Sequence, residues 1–188
     1  MTLKYLHINE KHHKMQLLIS HQEVAILKNF LAELLRDEVL IINTNLGLEI
    51  YYESSYDCTK LIKDTFAIVA CKKCNTEDRY RFFSFQNEQE IQRFMNASMQ
   101  KLAGMPLFIN YTKSTLRQLQ LQFESNRKLI GKLLKIWDEV ARNLRIKNVS
   151  THKIQAFRNK FQAIYINKVE NEVLKELIIE VLDKKNVN

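Results

Sequence analysis

The spacing of apolar residues changes several times between residues 1 and 112, which is typical of helices and strands that follow one another. Short apolar runs bounded by polar residues predict five to six strands. These runs lie at residues 15–20, 39–42, 48–53, 65–71, 79–85 and 107–111. Apolar residues three and four positions apart predict helices over residues 21–37 and 88–103, with a short helix at 55–63. This part of the chain is therefore expected to form a mixed α/β head.

Polar residues at the starts of two predicted helices match helix-capping patterns. Glu23 follows Ser20 by three residues, which is the spacing of a capping box, where each side chain hydrogen-bonds the other residue's backbone N–H. Asn87 and Glu90 repeat this spacing before the second helix. Gly104 follows the last apolar position of that helix, and we expect it to adopt the left-handed conformation that often ends a helix.

From residue 114 onward the apolar residues alternate spacings of three and four, a heptad pattern that we call the heptad seam. Its positions are Leu116, Leu119, Phe123, Asn126, Ile130, Leu133, Trp137, Val140 and Leu144. The seam predicts a long helix over residues 114–147, and a second helical pattern covers residues 151–183. Two long helices joined by a short turn favour an antiparallel hairpin.

The chain is therefore expected to have an α+β fold in two parts. Residues 1–112 would form the mixed α/β head, with about five to six strands and two to three helices. Residues 113–188 would form a long, basic, C-terminal antiparallel helical hairpin. The chain contains only 3 glycines and 1 proline, which argues against a long flexible linker between the two parts.

The net charge of +8 is not distributed evenly along the chain. Residues 1–104 contain 13 basic and 13 acidic residues, whereas residues 105–168 contain 13 basic and 3 acidic residues. Because basic side chains along a helix can follow a phosphate backbone, we expect this segment to contact nucleic acid. The residues expected to do so are Lys113, Arg117, Arg127, Lys128, Lys132, Lys135, Arg142, Arg145, Lys153 and Arg158. Alternatives are an acidic protein partner and a basic face that only maintains solubility.

The heptad seam is a second candidate interface. Four of its larger or polar members are expected to contact a protein partner or a second copy of the chain. These are Phe123, Asn126, Ile130 and Trp137. A buried asparagine in such a seam would help to select the register and the number of helices. The alternative is that helices 114–147 and 151–183 pack on each other within one chain.

Cysteine and histidine residues form one candidate for metal or redox chemistry. Cys71 and Cys74 have the spacing that lets two thiolates bind one Zn²⁺, but a closed site needs four ligands and no second such pair is present. We interpret His7, His12 and His13 as part of a polar N-terminal tail. The phosphate-binding and catalytic motifs of common enzyme classes do not occur in the sequence. We therefore assign no cofactor and no catalytic residue.

These observations favour a non-enzymatic subunit of a macromolecular assembly, in which the head and the heptad seam contact proteins and the basic hairpin contacts nucleic acid. Two alternatives stay open. One is a protein-binding adaptor or chaperone without nucleic-acid contact, and the other is a small enzyme or zinc protein that uses Cys71 and Cys74. Three cysteines are too few for a disulfide scaffold, and no stretch resembles a signal peptide or a membrane span. We therefore expect an intracellular protein, cytoplasmic or nuclear, that is not secreted.

Overall fold

A computed structural model describes residues 1–11, 17–70, 79–146, 151–168 and 175–176. Its strands form one antiparallel sheet with the spatial order β2-β3-β1-β4. The strands are β1 (Thr2–Glu10), β2 (Val39–Thr44), β3 (Gly47–Ser54) and β4 (Tyr80–Phe85). The N-terminal strand β1 therefore lies inside the sheet and is hydrogen-bonded along both edges.

Helices lie on both faces of this sheet, which is the middle of three layers. The helices are α1 (His21–Leu35), α2 (Thr59–Ala70), α3 (Glu88–Leu102), α4 (Leu107–Leu121), α5 (Arg127–Ile146) and α6 (Thr151–Asn167). On one face, Leu27 of α1 and Phe66 of α2 share a buried hydrophobic cluster with Ile50 of the sheet. On the other face, a second cluster joins sheet residues such as Tyr51 to α3, α4, α5 and α6. Strands β1, β2 and β3 are consequently buried on both sides.

The prediction of five to six strands is wrong, because the described residues contain four strands in one sheet. Strands predicted at residues 39–42, 48–53 and 79–85 are confirmed as β2, β3 and β4. Residues 17–20, the described part of another predicted strand, are not in a strand. The observed number of strands therefore differs from the predicted number for two reasons. Some segments predicted as strands are not strands, and the sequence pattern did not predict β1.

Strand β1 contradicts the interpretation of His7 as part of a polar N-terminal tail. Both faces of β1 are covered, so apolar residues occur at consecutive positions and the alternation of a half-exposed strand is absent. Leu3 and Leu6 have no exposed surface. Lys4 is also buried, and its ammonium donates a hydrogen bond to the backbone carbonyl of Tyr56 at 2.5 Å. Lys4 and His7 thus lie within the protein rather than in a tail.

Two further segments predicted as strands are helical. Residues 65–70 lie in α2, where apolar side chains at spacings of four and three are buried against the sheet. Burial of this helical face outweighs the strand preference of the individual residues. Residues 107–111 form the beginning of α4, and Pro106 occupies its N-cap position. A proline is tolerated there because the first N–H groups of a helix have no partner within the helix.

The predicted long C-terminal hairpin of helices is also wrong. The helix expected over residues 114–147 is interrupted between α4 and α5. At this interruption, the side-chain amide of Asn126 and the hydroxyl of Ser125 each donate a hydrogen bond to the carbonyl oxygen of Gln122 at 3.3 Å. Such local side-chain hydrogen bonds compete with the backbone hydrogen bonds of a continuous helix.

Three shorter helices therefore replace the hairpin and join the layer on the sheet. The rings of Trp137 on α5 and Phe157 on α6 are 4.6 Å apart. Helix α5 also packs against α3 and against the sheet, and α6 packs against α4. Helix α6 ends at Asn167, and most of the remaining residues of the predicted helix 151–183 lie outside the described residues.

The helix caps show which local predictions hold. The predicted capping box is confirmed, since the Ser20 hydroxyl accepts from the backbone N–H of Glu23 at 3.2 Å and the Glu23 carboxylate accepts from that of Ser20 at 2.7 Å. The Asn87 side chain accepts from the N–H three residues later at 3.0 Å, as predicted. The left-handed conformation expected at Gly104 is wrong, because the cap of α3 is Ala103 in a right-handed helical conformation.

The predicted boundary at residue 112 falls inside α4. One hydrophobic cluster contains residues from both sides of this boundary, including Tyr51 and Trp137. The division into residues 1–112 and 113–188 stays a prediction.

Candidate functional site

Four of the residues predicted to bind nucleic acid form ion pairs within the chain. The ammonium groups of Lys128 and Lys132 both contact the buried carboxylate of Glu53, at 2.5 Å for Lys128. Arg158 is buried and donates to Asp138 at 2.7 Å, and Arg142 contacts Glu139 at 3.2 Å. The positive charge of these four side chains is thus partly compensated inside the protein. The sequence did not indicate that Lys128 and Lys132 pair with Glu53, since the lysines and Glu53 are far apart in the chain.

The other predicted cations are distributed over α4, α5 and α6. Lys113, Arg117, Arg127 and Lys135 are exposed, and Arg145 lies in the last turn of α5. Lys153 donates to the carbonyl oxygen of Ala103 at 3.4 Å. Lys113 and Lys153 line a groove of about 170 Å³ between α4 and α6, together with Lys160. Their role in binding nucleic acid stays a prediction.

The residues predicted to bind a partner lie in the interior of the chain. Phe123, Asn126 and Ile130 have no exposed surface, and Trp137 is 1 % exposed. Trp137 and Ile130 belong to the hydrophobic cluster between the sheet and α3 to α6. Their seam therefore packs within one chain, and contact with a partner stays a prediction.

The candidate metal residues Cys71 and Cys74 lie outside the described residues, as do His12 and His13. Cys58 is a half-buried free thiol. Among the described residues, no group of three or more histidine, cysteine, aspartate or glutamate side chains could hold a metal ion.

A cavity of about 230 Å³ lies between the sheet and helices α3 and α4. Its sheet side is formed by Tyr5 and His7 of β1 together with Glu49 and Tyr51 of β3. These residues share one face of the sheet because Tyr5 pairs with Tyr51 and His7 pairs with Glu49 in the β1–β3 register. The helix side includes Phe94, Met95, Ser98, Met99, Lys101 and Tyr111. The lining is thus mostly apolar and aromatic, with polar groups on both its sheet side and its helix side.

Glu49 is the central polar residue of this cavity and is 5 % exposed. One of its carboxyl oxygens accepts a hydrogen bond from the Tyr51 hydroxyl at 2.7 Å, and the other accepts one from the Tyr111 hydroxyl at 3.1 Å. Burial raises the pKa of Glu49 from its ordinary 4.5 to about 7, although both hydrogen bonds favour the anion. Glu49 can therefore gain or lose a proton near neutral pH.

His7 and Tyr5 lie beside Glu49 on the neighbouring strand. The Tyr5 hydroxyl and Nδ1 of His7 are 3.1 Å apart, which is hydrogen-bonding distance. Burial lowers the pKa of His7 from 6.5 to about 4, so its imidazole is neutral at pH 7. The rings of Tyr5 and Tyr51 stack with centroids 4.6 Å apart. We refer to Tyr5, Tyr51 and Tyr111 as the cavity tyrosines.

Gly47 brings the start of β3 close to His7. Its backbone φ of 138° lies in a region that residues other than glycine rarely adopt. A Cβ at this position would lie 2.4 Å from the carbonyl oxygen of Ile8 and 3.0 Å from Cε1 of His7. The glycine therefore permits the close approach of β1 and β3 beside the cavity.

Sequence reasoning did not single out Glu49 or the cavity tyrosines. Glu49 and Tyr51 alternate with apolar residues in β3, so they look like the polar side of an ordinary strand. Tyr111 is 62 positions from Glu49 in the chain. The one available signal is Glu49 itself, an acidic residue in a segment of otherwise buried-strand composition.

Comparisons with protein-family models, with curated proteins and with solved structures found no match. Among the residues that the structure describes, no helix is both long and apolar enough to cross a membrane. The physical properties of the cavity and of the basic surface are therefore the basis for assigning a function.

Proposed function

We propose that this protein binds a small molecule in the cavity between β1, β3, α3 and α4. The observation that carries this proposal is the buried carboxyl group of Glu49, which faces a cavity of about 230 Å³ and has a pKa near 7. Burying an ionisable group without a partner of opposite charge lowers stability. A mostly apolar cavity with a few convergent polar groups is the usual form of a ligand site.

The polar groups define what this cavity can do chemically. Glu49 can accept or donate a proton near pH 7, whereas His7 is uncharged at that pH. Titratable groups with such shifted pKa values are concentrated at functional sites. The methionines and aromatic rings of the lining offer adaptable apolar contacts. The ligand is therefore expected to combine an apolar body with one polar group that reaches Glu49.

Ligand titrations followed by amide NMR of the full chain test this proposal. Small aromatic probes of positive, neutral and negative charge are expected to shift the amide signals of Glu49 and Tyr111 in the wild-type protein. Ser98→Phe places a ring in the cavity from α3 and should lower the affinity of every bound probe at least tenfold. Ala97→Phe adds the same ring at the neighbouring exposed position and serves as the matched control.

Two results would contradict small-molecule binding. One is the absence of shifts around the cavity for all probes at millimolar concentration. The other is equal affinity of the wild-type protein and Ser98→Phe, which would place any binding elsewhere on the surface.

We also propose that α4 and α6 contact an anionic macromolecule, as in a nucleic-acid-binding subunit of an assembly. The observation that favours this is the groove in which Lys113, Lys153 and Lys160 lie together over an apolar floor that includes Phe108 and Phe157. Converging cations raise the local positive potential, and each phosphate contact releases counterions.

Fluorescence anisotropy with labelled single- and double-stranded nucleic acids at low and moderate salt tests this second proposal. Combining Lys113→Glu with Lys160→Glu should weaken binding and reduce the dependence of log affinity on log salt concentration by about two. Lys60→Glu reverses an exposed lysine on α2 and is the control. Absence of binding at low salt would rule out nucleic acid and leave an acidic protein as the partner of an adaptor.

A further inference from the structure

We infer that the ligand of the Glu49 cavity is a small organic cation, such as an amine attached to an apolar body. This inference rests on the proposed small-molecule binding and adds the charge of the ligand. It follows from the absence of a cation beside Glu49 among the residues that the structure describes, from the free hydrogen-bonding capacity of its carboxylate and from the aromatic lining of the cavity.

Three other acidic side chains with little exposure are paired with a cation. Glu53 is paired with two lysines, and the carboxylates of Asp138 and Glu10 are paired with Arg158 and Arg79. By contrast, the described partners of Glu49 are two neutral hydroxyls. A buried carboxylate without a counterion is unfavourable. The positive charge that neutralises Glu49 therefore has to come from a proton or from a ligand.

The other titratable groups that line the cavity do not supply this charge. Burial raises the pKa values of the three cavity tyrosines above their ordinary value, so they are neutral at pH 7. Burial keeps His7 neutral at the same pH. Lys101 lines the cavity from α3, but it is exposed and forms no ion pair with Glu49. A cation next to Glu49 would therefore meet no buried positive charge.

The hydrogen bonds of Glu49 favour its anionic form and leave room for a further donor. Each carboxyl oxygen accepts one tyrosine hydroxyl, whereas an ionised carboxylate can accept about four hydrogen bonds. The N–H groups of an ammonium ion would use the remaining capacity and form charge-assisted hydrogen bonds.

Aromatic side chains line the same cavity as Glu49. Tyr5, Tyr51, Tyr111 and Phe94 all line the cavity, and the rings of Tyr5 and Phe94 are 5.8 Å apart. The faces of aromatic rings attract cations, most strongly where water is excluded. The same rings would pack against the apolar body of the ligand.

Three probes of similar size separate the charge of the ligand from its shape. These are 2-phenylethylamine, 2-phenylethanol and phenylacetate, each titrated into the full-length wild-type protein at pH 7.5 and followed by amide NMR. The amine is expected to bind at least tenfold more tightly than the alcohol, and phenylacetate is expected to bind most weakly. The amine's affinity should fall about tenfold between pH 8 and pH 6, because protonation removes the charge of Glu49 near pH 7.

Glu49→Gln keeps the shape of the side chain and removes its charge. It should reduce the affinity for the amine at least tenfold and leave that for the alcohol within about threefold. Glu88→Gln removes an exposed acid from α3 and should change neither affinity. The wild-type comparison of the three probes does not depend on how well any variant folds.

The outcomes separate the two proposals. If the alcohol binds as tightly as the amine, or phenylacetate binds most tightly, the ligand is not a cation and small-molecule binding stands. If none of the three probes shifts the cavity signals at millimolar concentration, small-molecule binding itself is contradicted, and the cation inference with it.

Discussion

Glu49 and Glu53 lie four residues apart on the same face of β3, and both are buried. Glu53 contacts the ammonium groups of Lys128 and Lys132 on α5, whereas Glu49 accepts hydrogen bonds from tyrosine hydroxyls. Burial alone would raise both pKa values. The hydrogen bonds and charges of the two lysines outweigh burial at Glu53 and lower its pKa, whereas the pKa of Glu49 rises to about 7.

At Glu53 the two lysines offset the effect of burial on the pKa, whereas at Glu49 no described cation does so. At Glu53 the ion pairs connect β3 to α5, so that the acid contributes to the packing of the helical layer. At Glu49 the described donors are two neutral hydroxyls next to a cavity. Burial of an acid without a paired cation lowers the stability of the folded protein at neutral pH.

The largest effect on stability is expected when both lysines that pair with Glu53 are removed, because Glu53 then lacks a described counterion, as Glu49 does. Lys128→Ala combined with Lys132→Ala should lower the free energy of unfolding at pH 7 by several times the loss in the Lys135→Ala control, because the Glu53 carboxylate loses both of its counterions. Urea denaturation measures this loss. Lys135→Ala removes an exposed lysine from the same helix and should have an effect below about 0.5 kcal/mol. A double variant as stable as this control would mean that Glu53 is hydrated.

The next effect is a pH dependence of stability, to which Glu49 and His7 contribute with opposite signs. Glu49 has a pKa of about 7 when folded and 4.5 ordinarily, so the folded state binds more protons and its stability falls as pH rises from 4.5 to 7. His7 has a pKa of about 4 when folded and 6.5 ordinarily, so its contribution rises with pH from 4 to 6.5. Each contribution is about 3 kcal/mol, and the two largely cancel.

Single substitutions should reveal each contribution. Glu49→Gln should leave a protein whose free energy of unfolding increases between pH 4.5 and 6.5, because only the His7 contribution remains. His7→Gln should produce the opposite trend between pH 4.5 and 7. Urea denaturation at four pH values across this range measures both trends. A wild-type-like, flat profile in the Glu49→Gln variant would show that one or both groups titrate normally.

A smaller effect is expected when Glu49 loses one of its two donors. Tyr111→Phe removes a hydrogen bond to the carboxylate, so the free energy of unfolding should fall by about 1 to 2 kcal/mol at pH 8 and by less at pH 5, where Glu49 is protonated. The pKa of Glu49, followed by carbon NMR of its carboxyl group, should rise. Tyr165→Phe removes a hydroxyl that forms no hydrogen bond with a described residue and serves as the control. Equal losses at both pH values would indicate a packing effect alone.

The smallest effect on stability is expected when only one of the two lysines that pair with Glu53 is removed. Lys128 has a side chain that is 55 % exposed, and Lys132 still neutralises Glu53 when Lys128 is removed. Lys128→Ala should therefore lower the free energy of unfolding much less than the double variant does, with a loss that decreases at high salt. Urea denaturation at 0.05 and 0.5 M salt measures it. A loss as large as that of the double variant would mean that Lys128 alone neutralises the acid.

The elements that follow from local patterns are those that the sequence predicted well. The capping box of Ser20 and Glu23 and the cap at Asn87 require only residues within three positions of one another. Strands β2, β3 and β4 follow from short apolar runs between turns. Residues 65–70 were harder to predict, because their strand preference conflicts with the helical spacing of the apolar face that α2 buries.

The candidate site could not be predicted, because its properties arise from residues that are distant in the chain. Tyr111 is 62 positions from Glu49, and Lys132 is 79 positions from Glu53. In the sequence, Lys132 is equivalent to exposed lysines such as Lys135, and the pattern of basic residues assigns both to one basic helix face. Only the packing of α5 on the sheet distinguishes a lysine that neutralises a buried acid from one that is free to contact a partner.

The sequence by itself determined the α+β class, two helix caps, three of the four described strands and the segregation of positive charge toward the C-terminal helices. The tertiary structure alone decided that β1 is an inner strand, that the heptad seam is divided between α4 and α5, and that Glu53 has two counterions while Glu49 has none among the described residues. The physical reason is the distance along the chain over which each interaction acts. Hydrogen bonds in caps and the period of apolar residues act within a few positions, whereas burial, ion pairing and pKa depend on which distant segments the fold brings together.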